Sequence, residues 1–251
     1  MTTDIHTHLG ADRNTLNQVN SDNVAIYTET LISRMDAFGI EKAVLTPIEP
    51  SNGNEVCLEA CAIFPDRIFS ACTIMPRPID RARENLAYYV DNDCVALVLD
   101  DRLYHTEDPA PLILINEAVD RNLPVYIHTD VMTTDVLSFI DKASTMFPSG
   151  KFIVMHMGGI FGFPQLIPLV KRQNIWLETS VTLARIVESP LRVYLDALVQ
   201  DIGVPKLVFG SEHHSEYLYL MAAMNDIDLN VETSRIISKE NPWLLLGLSF
   251  S

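Results

Sequence analysis

Short apolar runs recur along the chain, and each is followed by a segment with the spacing of an amphipathic helix. The runs are rich in Val, Ile and Leu without clean polar alternation, which is typical of strands buried on both faces. Eight strands are predicted, at residues 3–8, 40–47, 67–75, 94–100, 123–130, 151–159, 174–180 and 206–211. Alternating strands and helices favour a parallel α/β sheet. Eight such units predict closure into a (β/α)8 TIM barrel, with an open doubly wound sheet as the alternative.

Length and composition indicate a single domain over residues 1–251. A chain of 251 residues lies within the range of one α/β barrel, and its 48% hydrophobic residues suffice for the core. Residues 9–39 are expected to form a loop and one helix, which is too short for a lid domain. No change in composition marks a linker, and a charged fraction of 20% without low-complexity tracts argues against disorder.

The charge balance excludes several kinds of partner. The chain has 18 basic and 33 acidic residues, a net charge of −15, and no Lys/Arg cluster that would bind nucleic acid. An anionic membrane surface would repel it, and no run of about 18 apolar residues could span a bilayer. The first residues lack the basic and apolar regions of a signal peptide, so we expect a cytoplasmic protein.

The four cysteines are expected to be free thiols. Cys57 and Cys61 are four residues apart on a predicted helix and so share a face, as two zinc ligands would. Cys72 and Cys94 are too scattered to complete a ribbon-like zinc pattern. Buried free thiols in a reducing cytosol are therefore the favoured interpretation.

Histidines are concentrated at the carboxyl ends of the predicted strands. All seven except His105 lie at or just past such an end: His6, His8, His128, His156, His213 and His214. In a barrel these ends meet at one mouth, where active sites lie. Residues i and i+2 of a strand face the same way, so His6 and His8 can bind one cation together. With the carboxylate of Glu212 after the eighth strand, these imidazoles predict a site for zinc, manganese or iron.

Six segments follow one another in a specific order, and each alone is a modest signal. They are DIHTHLG, FPDRIFSACTIMP, LPVYIHTD, KFIVMHMGG, LVFGSE and the closing SKENPWLLLGL. Together they resemble the amidohydrolase superfamily, specifically the amidohydrolase-related group, over essentially the whole chain. That group includes amino-carboxymuconate-semialdehyde decarboxylase and related decarboxylases and hydrolases.

The resemblance implies a role for each residue at the mouth. His6, His8 and His128 would be metal ligands, and His156 would stand beside the metal and orient water or substrate. The family normally has an aspartate on its eighth strand, which serves as ligand and as acid/base. Glu212 takes that position here, with its carboxylate one methylene further out, so coordination can shift or be lost.

Two further features bear on the metal. If Glu212 coordinates differently, His213 or His214 either contributes to the site or is merely exposed. Binuclear members of the superfamily carry a carboxylated lysine at the end of the fourth strand, whereas VALVLDDRLYH has no lysine there. The resemblance therefore implies one divalent metal, with zinc favoured over manganese and iron.

The implied chemistry is hydrolysis by a metal-activated water. A Lewis-acidic metal lowers the pKa of bound water toward ~7 and polarises a carbonyl. Glu212 would take the proton and return it to a leaving group, and His156 would stabilise developing oxyanion charge. Three arginines after strands three, four and seven are candidates to bind a substrate carboxylate through bidentate hydrogen bonds: Arg77, Arg102 and Arg185.

Four functions remain open. The first is a metal-dependent hydrolase of a small carboxylate, ester, lactone or amide, and the second is a non-oxidative decarboxylase on the same scaffold. The third is a metal-independent lactonase, since the family's pyrone-dicarboxylate lactonase resembles this pattern and works without metal. The fourth is a barrel that binds a ligand or regulates a partner without catalysis. The expected partner is a small-molecule substrate, and the apolar ending WLLLGLSFS packs either on the barrel or on a second copy in a homodimer.

Overall fold

Eight parallel strands follow chain order around one sheet in the computed structural model, which describes residues 2–12, 14–48, 53–201, 203, 206–227 and 231–247. The strands are β1 (Thr2–Thr7), β2 (Ile40–Leu45), β3 (Ile68–Thr73), β4 (Ala96–Asp100), β5 (Val125–His128), β6 (Phe152–Val154), β7 (Ile175–Glu178) and β8 (Leu207–Val208). The sheet closes because β1 pairs with residues that follow β8. The Ile5 amide donates to the Phe209 carbonyl at 3.0 Å, and the His8 amide donates to the Glu212 carbonyl at 2.8 Å. The predicted (β/α)8 barrel is confirmed.

Two strands end three or more residues earlier than their apolar patterns predict. β6 ends at Val154 and β8 ends at Val208, whereas the patterns continue to residues 159 and 211. The residues that follow these two strands form irregular backbone at the mouth, with positive φ at His156 and Glu212. Apolar patterns report burial rather than extended backbone, so they run on into the buried turns of the mouth.

Helices cover the outside of the barrel. In chain order they are α1 (Val24–Phe38), α2 (Asn54–Ile63), α3 (Ile79–Asp91), α4 (Ala110–Asp120), α5 (Thr134–Met146), α6 (Phe163–Val170), α7 (Ser180–Val187), α8 (Arg192–Asp201), α9 (Tyr217–Asp226), α10 (Val231–Arg235) and α11 (Asn241–Leu246). One turn of π-helix, Ile236–Glu240, joins α10 to α11. α1 is the single helix expected between the first two strands, and it ends at Gly39 (φ 66°) in the left-handed conformation typical of helix ends.

Two apolar layers hold the strand ends in place. The inner layer fills the barrel and combines the fully buried Tyr126 with small residues such as Ala71 and Ala96. The outer layer lies between strands and helices and includes Ile140 and Phe163. Close packing on both faces gives a site built from several strands the rigidity it needs.

The last helix packs against the bottom of the barrel, opposite the mouth. Leu245 joins the inner apolar layer, and the Trp243 indole donates to Thr3 Oγ1 at 3.0 Å. Leu244 faces away and is 61% exposed. The apolar ending therefore packs on the barrel as far as it is described, while residues 248–251 lie outside the described residues.

The four cysteines are free thiols, as the sequence predicts. Cys57, Cys61, Cys72 and Cys94 are all free, and burial raises the pKa of the Cys61 thiol to about 12.

Within the described part of the chain, every helix is too short or too polar to cross a bilayer.

Candidate metal centre and active site

A polar cleft of about 860 Å³ opens at the carboxyl ends of the strands. The side chains that line it come from the ends of seven strands or the segments that follow them. They include His8, Arg102, His128, Asp130, His156, Arg185, Glu188, Glu212, His213 and Glu216. Its size suits a small molecule, and its polar lining offers many groups to orient one.

His6 and His8 present two ring nitrogens to one point, since their Nε2 atoms lie 3.2 Å apart. The other nitrogens face acceptors: His8 Nδ1 lies 2.8 Å from the Thr46 carbonyl oxygen, and His6 Nδ1 lies 3.2 Å from Glu178 Oε2. A carbonyl oxygen only accepts, so His8 carries its proton on Nδ1, and Glu178 Oε2, which already accepts the His156 amide, places the His6 proton likewise. Two Nε2 lone pairs then face each other. A divalent ion at about 2.0–2.1 Å from each nitrogen satisfies both, so these residues fit a metal.

His6, His8 and His156 are held neutral, which is the state that binds metal. Burial lowers the pKa of His6 and of His8 to about 3. Burial and the neighbouring imidazoles also hold the pKa of His156 well below its usual range. The His156 ring lies between two others, with centroids 5.1 Å from His6 and 5.3 Å from His128. The structure therefore brings all four predicted histidines together.

Asp100, at the end of β4, lies beside His128 and was not predicted from the sequence. Its Oδ1 lies 3.5 Å from His128 Nδ1 and accepts a 2.8 Å hydrogen bond from Arg102 Nε. Burial disfavours its charge, but the hydrogen bonds from Arg102 and the nearby His128 outweigh this and leave its pKa below the usual range. Asp100 is therefore an ionised partner for His128.

Glu212 is joined to His156 through a serine. Its Oε2 accepts a hydrogen bond from Ser180 Oγ at 3.3 Å, and Ser180 Oγ lies 2.8 Å from His156 Nδ1. Burial, followed by the charge of Glu178, raises the pKa of Glu212. A carboxyl with a raised pKa beside a cleft is suited to proton transfer.

Ligand atoms converge in two groups within the described residues. All ligand atoms lie within 4.8 Å of one another in the groups His6–His156–Glu178 and Asp100–Asp101–His128. Glu212 belongs to neither group, so its role as a metal ligand stays a prediction. Its carboxylate is held by a hydrogen bond from Ser180.

Glu178, at the end of β7, is the functional candidate that sequence reasoning missed. It is fully buried, its Oε2 accepts the His156 amide at 2.8 Å, and its Oε1 has no hydrogen-bond partner among the described residues. Burial raises its pKa to about 8. Gly210 makes room for it, because a Cβ at that position would lie 2.4 Å from Glu178 Oε1. The available signal was an acid closing the apolar run IWLE, since a buried strand rarely carries a carboxylate without a partner.

Asp4 is a second buried acid, and it ties β1 to the segment after β8. Its carboxylate accepts hydrogen bonds from Ser211 Oγ at 2.6 Å, from the Tyr217 hydroxyl at 3.0 Å and from the His6 amide at 3.1 Å. Burial raises its pKa to about 7. This bonding holds the backbone of His6 in place.

The three predicted arginines have different positions. Arg185 on α7 and Arg102 after β4 both line the cleft. Arg77 does not line it, because both its Nε and its terminal nitrogen bond Asp108 on the outer side, at 2.9 and 2.6 Å. The expectation that Arg77 faces the mouth is therefore not met, whereas the positions of the other two agree with it.

The two histidines after Glu212 also differ. His213 is buried and lines the cleft, with its Nδ1 2.7 Å from Ser215 Oγ. His214 does not line the cleft, and its buried Nδ1 has no hydrogen-bond partner within the described structure. Of this pair, only His213 is placed to contact a bound molecule.

The sequence matches the model of the family described as Amidohydrolase over residues 3–215. No curated protein matches it. Among solved structures, the probable 2-pyrone-4,6-dicarboxylic acid hydrolase from Acinetobacter baumannii with citric acid bound is 16% identical, with a TM-score of 0.73 over 98% of this chain and 99% of that chain.

Two decarboxylases are similarly close in fold. The 2,6-dihydroxybenzoate decarboxylase from Rhizobium is 17% identical, with a TM-score of 0.74 over 98% of both chains. The dihydroxybenzoic acid decarboxylase from Polaromonas, with bound manganese and the inhibitor 2-nitroresorcinol, is 16% identical, with a TM-score of 0.70 over 100% of this chain and 98% of that chain. At these identities the likeness shows a shared fold.

Proposed function

Because the chain belongs to the amidohydrolase family, we propose that it is a metal-dependent hydrolase acting on a small carboxylate, lactone, ester or amide. One observation carries the proposal: the Nε2 atoms of His6 and His8 face each other at 3.2 Å while acceptors hold both Nδ1 atoms. This arrangement leaves two lone pairs at one point and is satisfied by a cation.

The proposed ligands of a single divalent ion are His6, His8, His128 and Glu212. Three imidazoles and one carboxylate suit zinc best, with manganese and iron as alternatives. When bound, the ion supplies Lewis acidity, which lowers the pKa of a water and polarises a carbonyl.

The chain's own residues handle the proton and orient the reactants. The raised pKa of Glu212 suits a group that takes up a proton from the attacking water and returns it to the leaving group. His156 borders the cleft and is held by Ser180, so it is placed to orient water or substrate. Asp100 keeps His128 in position from behind.

Arg185 is the proposed primary partner of a substrate carboxylate. It lines the cleft near Glu212, where its charge opposes part of the rise that burial causes in the Glu212 pKa. The Arg102 guanidinium, by contrast, is already hydrogen-bonded to Asp100. Arg102 is proposed as a second contact. A carboxylate substrate is consistent with the dicarboxylic acid and dihydroxybenzoate in the names of the structural neighbours.

A non-oxidative decarboxylase is the second candidate, and it is equally compatible with the site. It is favoured by the fold likeness to two decarboxylases, one of which holds manganese. In that reaction Glu212 would deliver its proton to a carbon as carbon dioxide leaves. A homodimer and a cytoplasmic location stay predictions alongside either activity.

The first experiment is elemental analysis of protein purified without chelators. We expect about one zinc, manganese or iron per chain in the wild type and in H105A, and loss of that metal in H8A. His105 is the matched control because it does not line the cleft. Metal-loaded protein is then assayed with lactones, esters and amides, and for carbon dioxide release from aromatic acids.

The outcomes separate the candidates. Hydrolysis abolished by H8A and by chelators supports the main proposal, and carbon dioxide release supports the second candidate. Protein that holds no metal after supplementation contradicts both metal-dependent readings, and chelator-insensitive lactone hydrolysis would then establish a metal-independent lactonase.

A further inference from the structure

Three side chains at the mouth share an uncommon backbone conformation. His156 (φ 54°), Ser180 (φ 47°) and Glu212 (φ 69°) all lie in the left-handed region that non-glycine residues rarely adopt. They follow three successive strands, β6, β7 and β8. Glycine would adopt this backbone without strain, so retaining these side chains has a conformational cost.

The same three residues form one hydrogen-bonded chain. Ser180 Oγ donates to Glu212 Oε2 at 3.3 Å and lies 2.8 Å from His156 Nδ1. A serine hydroxyl has one proton. Because that proton is directed to Glu212, His156 must donate from Nδ1 to Ser180, and its Nε2 then carries the lone pair.

Hydrogen bonds from the backbone amides hold His156, Ser180 and Glu212 in place. The His156 amide donates to Glu178 Oε2 at 2.8 Å, the Ser180 amide to the Gly210 carbonyl at 2.8 Å, and the Glu212 amide to the His6 carbonyl at 2.9 Å. Ser180 itself is fully buried. The hydroxyl therefore has little freedom to choose other partners.

We propose that Ser180 is a positioning residue, whose hydroxyl fixes the ring orientation and tautomer of His156 and joins it to Glu212. This inference rests on the proposed function and adds a division of roles to it. With Nδ1 protonated, His156 Nε2 accepts a hydrogen bond in the cleft, so the residue orients an attacking water rather than donating to an oxyanion.

The test is 15N NMR of protein labelled at histidine, recorded at pH 7.5 on metal-free and zinc-loaded samples of wild type, S180A and S180G. H156Q identifies the His156 signals. In the wild type we expect separate protonated Nδ1 and unprotonated Nε2 shifts. In both variants the two shifts should move toward each other, as for a ring that exchanges tautomers.

The two variants separate positioning from a merely structural role. Glycine relieves the left-handed strain and alanine does not, so S180G should unfold at a higher temperature than S180A while showing the same loss of tautomer. A wild-type ring that already averages, one with unprotonated Nδ1, or variants that keep the wild-type shifts would overturn the proposal. The NMR readout needs no substrate, so failure of the hydrolase assignment would be seen separately in the metal and activity assays.

Discussion

The individual side chains of the site work in pairs, with one ring nitrogen facing the centre and the other held by a partner. Three pairs are hydrogen-bonded, namely His6–Glu178, His8–Thr46 and His156–Ser180. In the fourth, Asp100 Oδ1 lies 3.5 Å from His128 Nδ1 without a hydrogen bond. Partners of this kind set the tautomer and direction of a ligand, and losing one typically costs 10–100-fold in metal affinity. The partners are therefore as informative about the site as the histidines themselves.

Replacing Glu178 by glutamine is expected to weaken zinc binding by about 10–100-fold. The amide keeps the size of the side chain but cannot ionise, so it supplies no negative charge to the His6 Nδ1 proton when a cation binds Nε2. Zinc affinity is measured by competition with a chelating indicator. E188Q is the matched control, because it makes the same substitution at another glutamate of the mouth, Glu188, which lines the cleft. Equal zinc affinities for the two variants would refute a special role for Glu178.

The turns after the last three strands build the mouth, and they rely on close approach between neighbouring segments. Glu178 at the end of β7 lies against Gly210 after β8, where a Cβ would be 2.4 Å from the carboxylate. At the other end of the barrel, α11 presents Leu245 to the inner layer and Leu244 to solvent. Both features can be tested by single substitutions.

G210A is expected to reduce both stability and zinc affinity. Gly210 has no positive φ, so the added methyl acts by collision with Glu178, at a cost of about 1–3 kcal/mol, and displaces that carboxylate from His6. Urea unfolding and zinc titration measure the two effects. G39A is the comparison: its Cβ meets nothing within 4 Å but its φ is 66°, so strain should lower stability and leave zinc affinity unchanged. Wild-type zinc affinity in G210A would show that Glu178 tolerates the methyl.

L245A is expected to destabilise the protein by about 2–5 kcal/mol, because it removes a fully buried side chain from the inner layer. L244A on the same helix should change stability by less than about 0.5 kcal/mol, since Leu244 is 61% exposed. Urea denaturation of both variants provides the measurement. Similar losses in the two would mean that α11 does not pack on the barrel as described.

The molecule buries Asp4, Glu178 and His6 completely beneath a cleft that His8 and His156 line, in a chain whose net charge is −15. Buried groups whose pKa values differ between the folded and unfolded states make stability depend on pH. The acids and the histidines act in opposite directions here. Their balance can be read in the metal-free protein.

Metal-free protein is expected to lose stability as the pH rises from 6.5 to 8, the interval that contains the folded-state pKa values of Asp4 and Glu178. Burial raises the pKa of Glu178 to about 8 and that of Asp4 to about 7, so their contribution is full in acid and is lost as the pH rises through these values. His6 and His8, lowered to about 3, favour stability with rising pH only up to about 6.5. Glu178 alone should account for roughly 1–2 kcal/mol over this interval.

Urea unfolding at half-unit steps from pH 6.5 to 8 checks this expectation. E178Q should show a flatter profile than the wild type, because its amide does not titrate. An identical slope in both proteins would place the proton uptake elsewhere.

Much of the candidate site could be predicted from the sequence because barrel strands deliver their carboxyl ends to one mouth. That rule placed His6, His8, His128, His156 and Glu212 together, and the cleft and ring contacts agree with it. The cleft positions of Arg102 and Arg185 followed from the same rule. It was misleading for Arg77, since an exposed side chain after a strand pairs with whichever charge its loop approaches.

The sequence by itself determined the architecture, because apolar periodicity and the order of strands and helices are local properties of the chain. It also determined which imidazoles share the mouth. Only the tertiary structure decided how those imidazoles are held. Glu178 and Ser180 are remote in sequence from the histidines they serve, and their roles come from contacts of 2.8–3.3 Å that no local pattern encodes. The role of Gly210 comes from the space that its missing Cβ leaves for Glu178.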